Sequence, residues 1–172
     1  MSFKNSPFYN SIAKCREFMY NDIQKSIDLA KKPSTGAPNL LIALGLSCYT
    51  EYWGKVSLGI ARGDSRLCYE SFLCRMGIKY QQLIDNNDFD TYEKIRCGLV
   101  HSYLIETNCE INLRRGDCGI TIDHKNDKYV FNIITYFEDF KTAVNNYIQG
   151  LESGIEDIAK MEKAIRNKPI LI

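Results

Sequence analysis

An arginine and a histidine stand five positions apart in the segment EKIRCGLVHSYL, residues 93–104. Arg96 is a permanent cation whose planar guanidinium matches the oxygens of a phosphate. His101 is one of the two histidines in the chain, and an imidazole has an ordinary pKa of about 6.5, which suits proton transfer near neutral pH. Cleaving RNA without a metal requires a base for the 2′-hydroxyl proton, an acid for the leaving oxygen and a cation for the phosphorane. These two residue types supply that chemistry.

The same segment has the apolar spacing of an amphipathic helix, with Arg96 one turn from Tyr92 and Leu99. On an ideal α-helix, residues five apart are separated by about 7.5 Å along the axis and about 140° around it. We therefore expect Arg96 and His101 on different faces, so that a compact site forms more easily between two copies of the helix. Gly98 lies between them, and a glycine inside a helix is commonly kept where another backbone or a ligand comes close.

The run R-C-G-L-V-H, from Arg96 to His101, resembles the R-x(4–6)-H signature of the HEPN superfamily. The resemblance implies an up-and-down helical bundle that dimerises and joins two such motifs in one cleft. Many members are metal-independent endoribonucleases, often in toxin–antitoxin, CRISPR-linked or antiviral systems. It further implies Arg96 as the phosphate-stabilising residue, His101 as the acid/base, no cofactor, and a homodimer with RNA and an antitoxin or regulatory protein as partners. Cys97 stands where active members usually have a polar residue, often asparagine.

Two other interpretations use the same residues. Glu51 follows the apolar line of the second predicted helix, so Arg96 and Glu51 are also expected as a buried ion pair, in which loss of one partner costs about 3–5 kcal/mol. The chain would then be a catalytically inactive HEPN-like module for dimerisation or partner binding. In the other interpretation Cys97 and His101, four apart on one helical face, form a thiolate–imidazole pair, although the sequence indicates no third group to orient them.

Basic residues outside the motif are the candidates for contact with a polyanion. Residues 54–80 contain five basic and two acidic side chains, Lys55 among them, while Arg114 and Arg115 precede a predicted β-hairpin. We predict Lys55, Arg114 and Arg115 as substrate-binding residues, with ordinary solvated charges as the alternative. His124 falls in the predicted hairpin turn and is expected to be a loop residue.

The composition indicates one globular domain over residues 1–172. Hydrophobic residues make up 45% and charged residues 25%, and the formal net charge of +1 means that RNA contact must come from a local patch. The longest apolar run, LLIALGL, is far shorter than the about 20 residues of a membrane span, so we expect a cytoplasmic protein. The seven cysteines are scattered without C-x-x-C spacing, which favours reduced thiols and no metal site.

The elements that must position these residues follow from periodicity and from start and stop signals. The predicted fold is mainly α, an up-and-down bundle of about five helices with one inserted β-hairpin at about 117–134. The helices are predicted at 11–32, at 39–58 with Asn39 as N-cap, at about 65–84 after Asp64 or Ser65, from Asp90 onward, and at 135–166. The capping-box patterns D-x-x-E at Asp90 and T-x-x-E at Thr135 set the last two starts.

Overall fold

The computed structural model describes residues 3–32, 38–86, 90–102, 109–123 and 128–166, with residues 100–102 described by their backbone alone. The chain is mainly helical with a small sheet, which confirms the predicted fold class. A short 3₁₀ turn, Phe3–Asn5, precedes the first long helix. The further elements are α1 (Tyr9–Ala30), α2 (Asn39–Leu58), α3 (Ser65–Arg75), α4 (Ile78–Ile84), a π-helix (Tyr92–Ser102), β1 (Cys109–Asn112), β2 (Ile120–Asp123), β3 (Lys128–Asn132), α5 (Ile133–Ser153) and α6 (Ile158–Arg166).

The apolar helix α2 lies at the centre of the bundle and contacts α1, α3, α5, α6 and the π-helix. Its side chain Trp53 is completely buried. The indole stacks on Phe72, with 6.4 Å between ring centroids, and meets the ring of Tyr147 edge-on at 6.1 Å. Because α2 packs against five other helices, side chains from several elements can contact its polar residues. No helix in the described ranges is both long and apolar enough to span a membrane.

Two glycines divide helices that the periodicity predicted to be continuous. The helix expected at about 65–84 is broken at Gly77, whose φ of 137° a helical residue cannot adopt. The helix expected at 135–166 ends at Gly154, whose φ is 79°. The number of helices therefore differs from the prediction, because glycine at these two positions allows a left-handed or extended turn.

Helices α2 and α3 begin at the predicted residues, but the capping at these starts and at Thr135 differs from the prediction. Asn39 is the first residue of α2 rather than its cap, since Pro38 holds the flanking position. Asp64 flanks α3 as predicted, but its φ is 55° and its carboxylate accepts no hydrogen bond from the N–H groups of the helix. Helix α5 begins at Ile133, so Thr135 lies inside it. Its hydroxyl accepts a hydrogen bond from the N–H of Gly116 and donates to the carbonyl of that residue instead of capping.

The predicted hairpin is present and belongs to a larger sheet. Strands β2 and β3 pair antiparallel, with Ile120 opposite Phe131. Strand β1, which the sequence did not indicate, pairs in parallel with the other edge of β3, giving the order β1-β3-β2. The predicted turn with His124 lies outside the described residues.

The helix that carries the Arg96 motif begins as predicted but has a different hydrogen-bond pattern. The carboxylate of Asp90 accepts a hydrogen bond of 2.9 Å from the N–H of Glu93, which confirms its capping role. The segment Tyr92–Ser102 is a π-helix instead of an α-helix. Bonds from each carbonyl to the N–H five residues later make residues five apart neighbours along the helix, where an α-helix does so for residues three and four apart.

Candidate functional site

Three elements of the fold deliver polar side chains to one carboxylate, that of Glu51 on α2. From the π-helix, Arg96 donates two hydrogen bonds to Oε2, with 2.8 Å between Nε and that oxygen. From the next turn of α2, Lys55 forms an ion pair with Oε1. The hydroxyl of Ser65, the first residue of α3, donates to the same Oε1 at 2.7 Å. We call these four residues the Glu51 cluster.

The charged side chains of the Glu51 cluster are mostly buried. The exposed fractions of the side chains are 7% for Glu51, 16% for Arg96 and 19% for Lys55. Burial by itself raises the pKa of the Glu51 carboxyl, but the hydrogen bonds from Lys55, Ser65 and Arg96 outweigh it and hold that pKa below its ordinary value. Burial by itself lowers the pKa of the Arg96 guanidinium. The hydrogen bonds to Glu51 and its negative charge outweigh this effect, so that the pKa is raised. Glu51 and Arg96 are therefore ionised at neutral pH.

A second group of charges fixes the start of the π-helix beside this cluster. Arg66 of α3 donates to both oxygens of Asp90, at 2.7 and 2.8 Å, and to Glu93 at 2.9 Å. The ring of Tyr92 lies close to two guanidiniums, with its centroid 4.8 Å from Cζ of Arg66 and 5.6 Å from Cζ of Arg96. The aromatic ring is thus within cation–π distance of both guanidiniums.

The π-helix changes the expected relation between the two motif residues. The α-helical spacing placed Arg96 and His101 on different faces, and that expectation is wrong for this backbone. Because residues five apart are hydrogen-bonded neighbours in a π-helix, the backbone position of His101 lies about one turn beyond Arg96 on the same side of the helix. The R-x4-H spacing therefore equals the spacing of the hydrogen bonds in the helix that carries it.

The basic residues predicted to bind substrate fall at two places in the structure. Lys55 belongs to the Glu51 cluster, where it shares one carboxylate with Arg96. Arg115 forms a bidentate pair with Glu138 on α5, at 2.7 and 2.9 Å, and Arg114 lies exposed beside it in the segment after β1. The structure thus brings Lys55 and Arg96 together but does not join Arg115 to them. A role in substrate binding stays a prediction for all three basic residues.

The predicted pairing of Arg96 with Glu51 is confirmed, whereas the shared use of Glu51 by Lys55 and Ser65 was missed. The signal for Lys55 was available, because Glu51 and Lys55 are four apart on α2, the spacing of a helical ion pair. Ser65 gave no such signal. Its contact depends on how α3 packs across α2, and nothing in the local sequence specifies that.

The cysteines near the cluster are free thiols. Cys48 is exposed on α2, one turn before Glu51, and Cys97 is half-buried on the π-helix. Partial desolvation by the surrounding protein raises the pKa of the Cys48 thiol, while the charge of Arg96 opposes that rise. The pairing of Cys97 with His101 stays a prediction. Within the described part of the chain, no group of three or more histidine, cysteine, aspartate or glutamate side chains is placed to hold a metal ion.

Comparison with known proteins gives no second line of evidence on this geometry. No family model matches the chain, and no curated protein or solved structure is significantly similar to it. The relation to the HEPN superfamily therefore stays a prediction from the motif. Any functional conclusion therefore depends on the Glu51 cluster and the π-helix.

Proposed function

We propose that the chain is a metal-independent endoribonuclease of HEPN type, with Arg96, Lys55 and His101 as the residues that act on RNA. One observation carries the proposal: two cations meet at Glu51 on the side of the π-helix where the position of His101 also lies. A phosphate binder and a proton-transfer residue are the two components that RNA cleavage needs. π-Helical segments are rare and frequently occur at functional sites, which supports the same conclusion.

The charge of the cluster suits a phosphate. Glu51 carries one negative charge and its two partners, Lys55 and Arg96, carry one positive charge each, so these three side chains sum to +1. Glu51 is then a positioning residue, which holds both cations in place before the substrate arrives. Cations fixed in advance stabilise the charge that develops on the phosphorane without having to reorganise during the reaction.

The proposed reaction is an internal displacement at phosphorus. A His101 imidazole takes the proton of the 2′-hydroxyl, and the 2′-oxygen attacks the phosphorus. The bond from phosphorus to the 5′-oxygen then breaks, and a protonated His101 from the second copy in a homodimer donates the proton to the leaving oxygen. The products are a 2′,3′-cyclic phosphate and a 5′-hydroxyl, and the reaction consumes no water.

The test is cleavage of an unstructured, fluorescently labelled RNA in the presence of EDTA. We expect the wild-type chain to give products with cyclic phosphate ends and His101→Ala to lose at least about a hundredfold in rate, the usual contribution of an acid/base group. The matched control is His124→Ala, which removes the other histidine of the chain. Equal cleavage by wild type and His101→Ala would overturn the assignment.

The conservative variant Arg96→Lys tests whether Arg96 acts through its planar guanidinium or only through its positive charge. It keeps the positive charge near Glu51 but removes the planar fork, so we expect slower cleavage with a melting temperature close to that of the wild type. Unchanged cleavage by this variant would contradict the proposed role of Arg96.

A second function is favoured by the burial of the ion pair itself. Arg96 is tied to a nearly buried carboxylate, and such pairs often serve the fold alone. In that case the chain is an inactive module for dimerisation or partner binding. It would show no RNA cleavage at any concentration, while Arg96 variants would still change the stability of the fold.

A further inference from the structure

Ser65 contributes a neutral hydroxyl to a cluster whose other members are charged. Its oxygen donates a hydrogen bond of 2.7 Å to Oε1 of Glu51. Lys55 binds the same Oε1, and Arg96 binds Oε2. Two groups that are each hydrogen-bonded to one oxygen lie at most about 6 Å apart, so the Ser65 hydroxyl is close to the Lys55 ammonium.

The segment in front of Ser65 is open to solvent. Arg62, Gly63 and Asp64 are exposed, and Ser65 itself is half-buried. A Cβ added at Gly63 would meet no atom of the described residues within 4 Å. Gly63 and Asp64 both have a positive φ, 75° and 55°, so the chain turns sharply just before α3. A modifying enzyme therefore has access to this segment.

We propose that Ser65 is a phosphorylation site and that its phosphate takes over the two cations that Glu51 holds. In the reaction, Oγ of Ser65 attacks the γ-phosphorus of a nucleoside triphosphate bound to a protein kinase. The bond from that phosphorus to the β–γ bridging oxygen breaks, the nucleoside diphosphate leaves, and a base of the kinase takes the hydroxyl proton. Arg62 lies three residues before Ser65, and kinases recognise their substrates partly by such charged residues beside the hydroxyl.

A phosphate on Ser65 reverses the charge of the cluster. Phosphoserine carries a charge of about −2 at neutral pH and three acceptor oxygens. Glu51, Lys55 and Arg96 sum to +1, so the modified cluster sums to about −1. The ester oxygen has no proton, so the hydrogen bond from Ser65 to Glu51 is lost and the phosphate repels the carboxylate. Both cations gain a dianion as their partner.

This modification rests on the proposed function for its effect on RNA. Lys55 and Arg96 are the cations proposed to bind the phosphate of the substrate, and a phosphate fixed at Ser65 competes for both of them. Loss of one fixed charge-stabilising group commonly costs about a hundredfold or more in rate. We therefore expect the chain phosphorylated at Ser65 to cleave RNA at least about a hundredfold more slowly.

The first test uses the full chain with phosphoserine encoded at position 65 and measures the second pKa of the phosphate by ³¹P NMR. The ordinary value of that pKa is about 6. With Lys55 and Arg96 as partners, we expect it to be lower by at least about one unit. The matched control is phosphoserine at Ser153, an exposed position at the end of α5, where the pKa should not fall below about 6.

The variant Lys55→Met in the chain phosphorylated at Ser65 identifies the partner of the phosphate. It removes one cation and leaves the phosphate in place, so the phosphate pKa should rise again towards its ordinary value. Melting curves check that the modified chains are folded. A phosphate pKa that is not lowered, or one that is lowered equally with and without Lys55, overturns the proposal. An unfolded phosphorylated chain also overturns it, because the phosphate would then have no cluster to bind.

The second test is peptide mapping by mass spectrometry of the chain isolated from its own cells. We expect a fraction of the chain to carry one phosphoryl group on Ser65. Its absence in every growth phase overturns Ser65 as a natural site of modification.

RNA cleavage by the unmodified chain and by the chains phosphorylated at Ser65 and at Ser153 separates this proposal from the proposed function. Loss of cleavage only after modification of Ser65 supports both. A lowered phosphate pKa in a chain that cleaves no RNA in any form supports the phosphorylation site and overturns the nuclease. Undiminished cleavage by the chain phosphorylated at Ser65 overturns the phosphate as a competitor for the two cations and leaves the nuclease standing.

Discussion

Arg96 donates two hydrogen bonds to a single oxygen of Glu51, with 2.8 Å between Nε and Oε2. The other oxygen of that carboxylate is left for Lys55 and Ser65. The guanidinium is therefore not balanced by a carboxylate of its own, because Glu51 serves two cations. This sharing makes the cluster different from a simple buried ion pair. Loss of Glu51 and loss of Arg96 should therefore change the stability of the fold by different amounts.

The first prediction is that Glu51→Gln destabilises the fold more than Arg96→Met. Removing Glu51 leaves two half-buried cations without their carboxylate, which we expect to cost about 3–5 kcal/mol. Removing Arg96 leaves Glu51 with Lys55 and Ser65, so the expected loss is about 1–3 kcal/mol. The measurement is the free energy of unfolding from urea titration at neutral pH.

The exposed pair of Arg115 and Glu138 supplies the control for this comparison. The exposed fractions of these side chains are 74% and 41%, so Arg115→Met should change the unfolding free energy by at most about 1 kcal/mol. If Arg96→Met proves more damaging than Glu51→Gln, Lys55 does not share the carboxylate in solution. A simple two-residue pair would then be the correct description.

The second prediction concerns pH. The pKa of Glu51 in the folded chain is held below its ordinary value of 4.5, because the three hydrogen-bond donors outweigh the opposing effect of burial. A lowered pKa means that the stabilisation is complete above pH 4.5 and is lost as the pH falls through the folded value. The stability difference between wild type and Glu51→Gln should therefore be constant at higher pH and shrink below about 4.5.

Urea titrations of both proteins across pH 3 to 7 test this prediction. The pKa of Asp90 is also lowered, with burial opposed by the N–H of Glu93 and by Arg66, so the stability of wild type alone reports more than one group. The Glu51→Gln comparison removes that contribution, because Asp90 is present in both proteins. A difference that grows on acidification would have the wrong sign for a lowered pKa.

Local sequence signals predicted the elements near the site better than their internal geometry. Asp90 marked the start of the π-helix correctly, because its capping bond depends on residues three positions away. Strands β2 and β3 were also predictable, because their sequences are runs rich in β-forming residues on either side of a turn. The break at Gly77 was not, since a glycine inside an apolar period is compatible with either a continuous helix or a turn.

Relations between distant segments were the part that the sequence did not specify. Strand β1 joins β3 in parallel, and only the packing of the completed bundle sets that register. The π-helical pattern over residues 92–102 was missed for a different reason, because its apolar spacing of three and four is typical of an α-helix. Glu51 was predictable as a partner of Arg96 since both lie on inward sides of their helices.

A third prediction tests the contact that places α3 and its Ser65 against α2. A Cβ added at Gly54 would overlap the carbonyl oxygen of Cys68, a backbone atom that cannot rotate away. Gly54→Ala should therefore cost at least about 3 kcal/mol or prevent folding. Gly45→Ala, in the same helix, would meet only Cδ1 of Ile23 at 3.3 Å and should be nearly neutral. Thermal melts of the two variants give the comparison, and a well-folded Gly54→Ala would show that α2 and α3 pack less closely.

The fourth prediction separates two roles of Asp90 at the start of the π-helix. Its carboxylate caps the N–H of Glu93 and also binds Arg66. Asp90→Ala removes both contacts, whereas Asp90→Ser retains a side-chain oxygen for the cap and loses only the ion pair. Because Asp90 and Arg66 are each about two-fifths exposed, at 41% and 42%, the ion pair should contribute at most about 1 kcal/mol.

The cap should account for about 1 kcal/mol of the loss in Asp90→Ala, so Asp90→Ser should lie between that variant and the wild type. Hydrogen exchange of the amides at the start of the π-helix should show the same order, because an uncapped end frays. Arg96 is only six residues beyond Asp90, so fraying should loosen the bond from Arg96 to Glu51 as well. Asp90→Ala and Asp90→Ser variants with equal stability and equal exchange would assign the effect to Arg66 and exclude the cap as the device that positions Arg96.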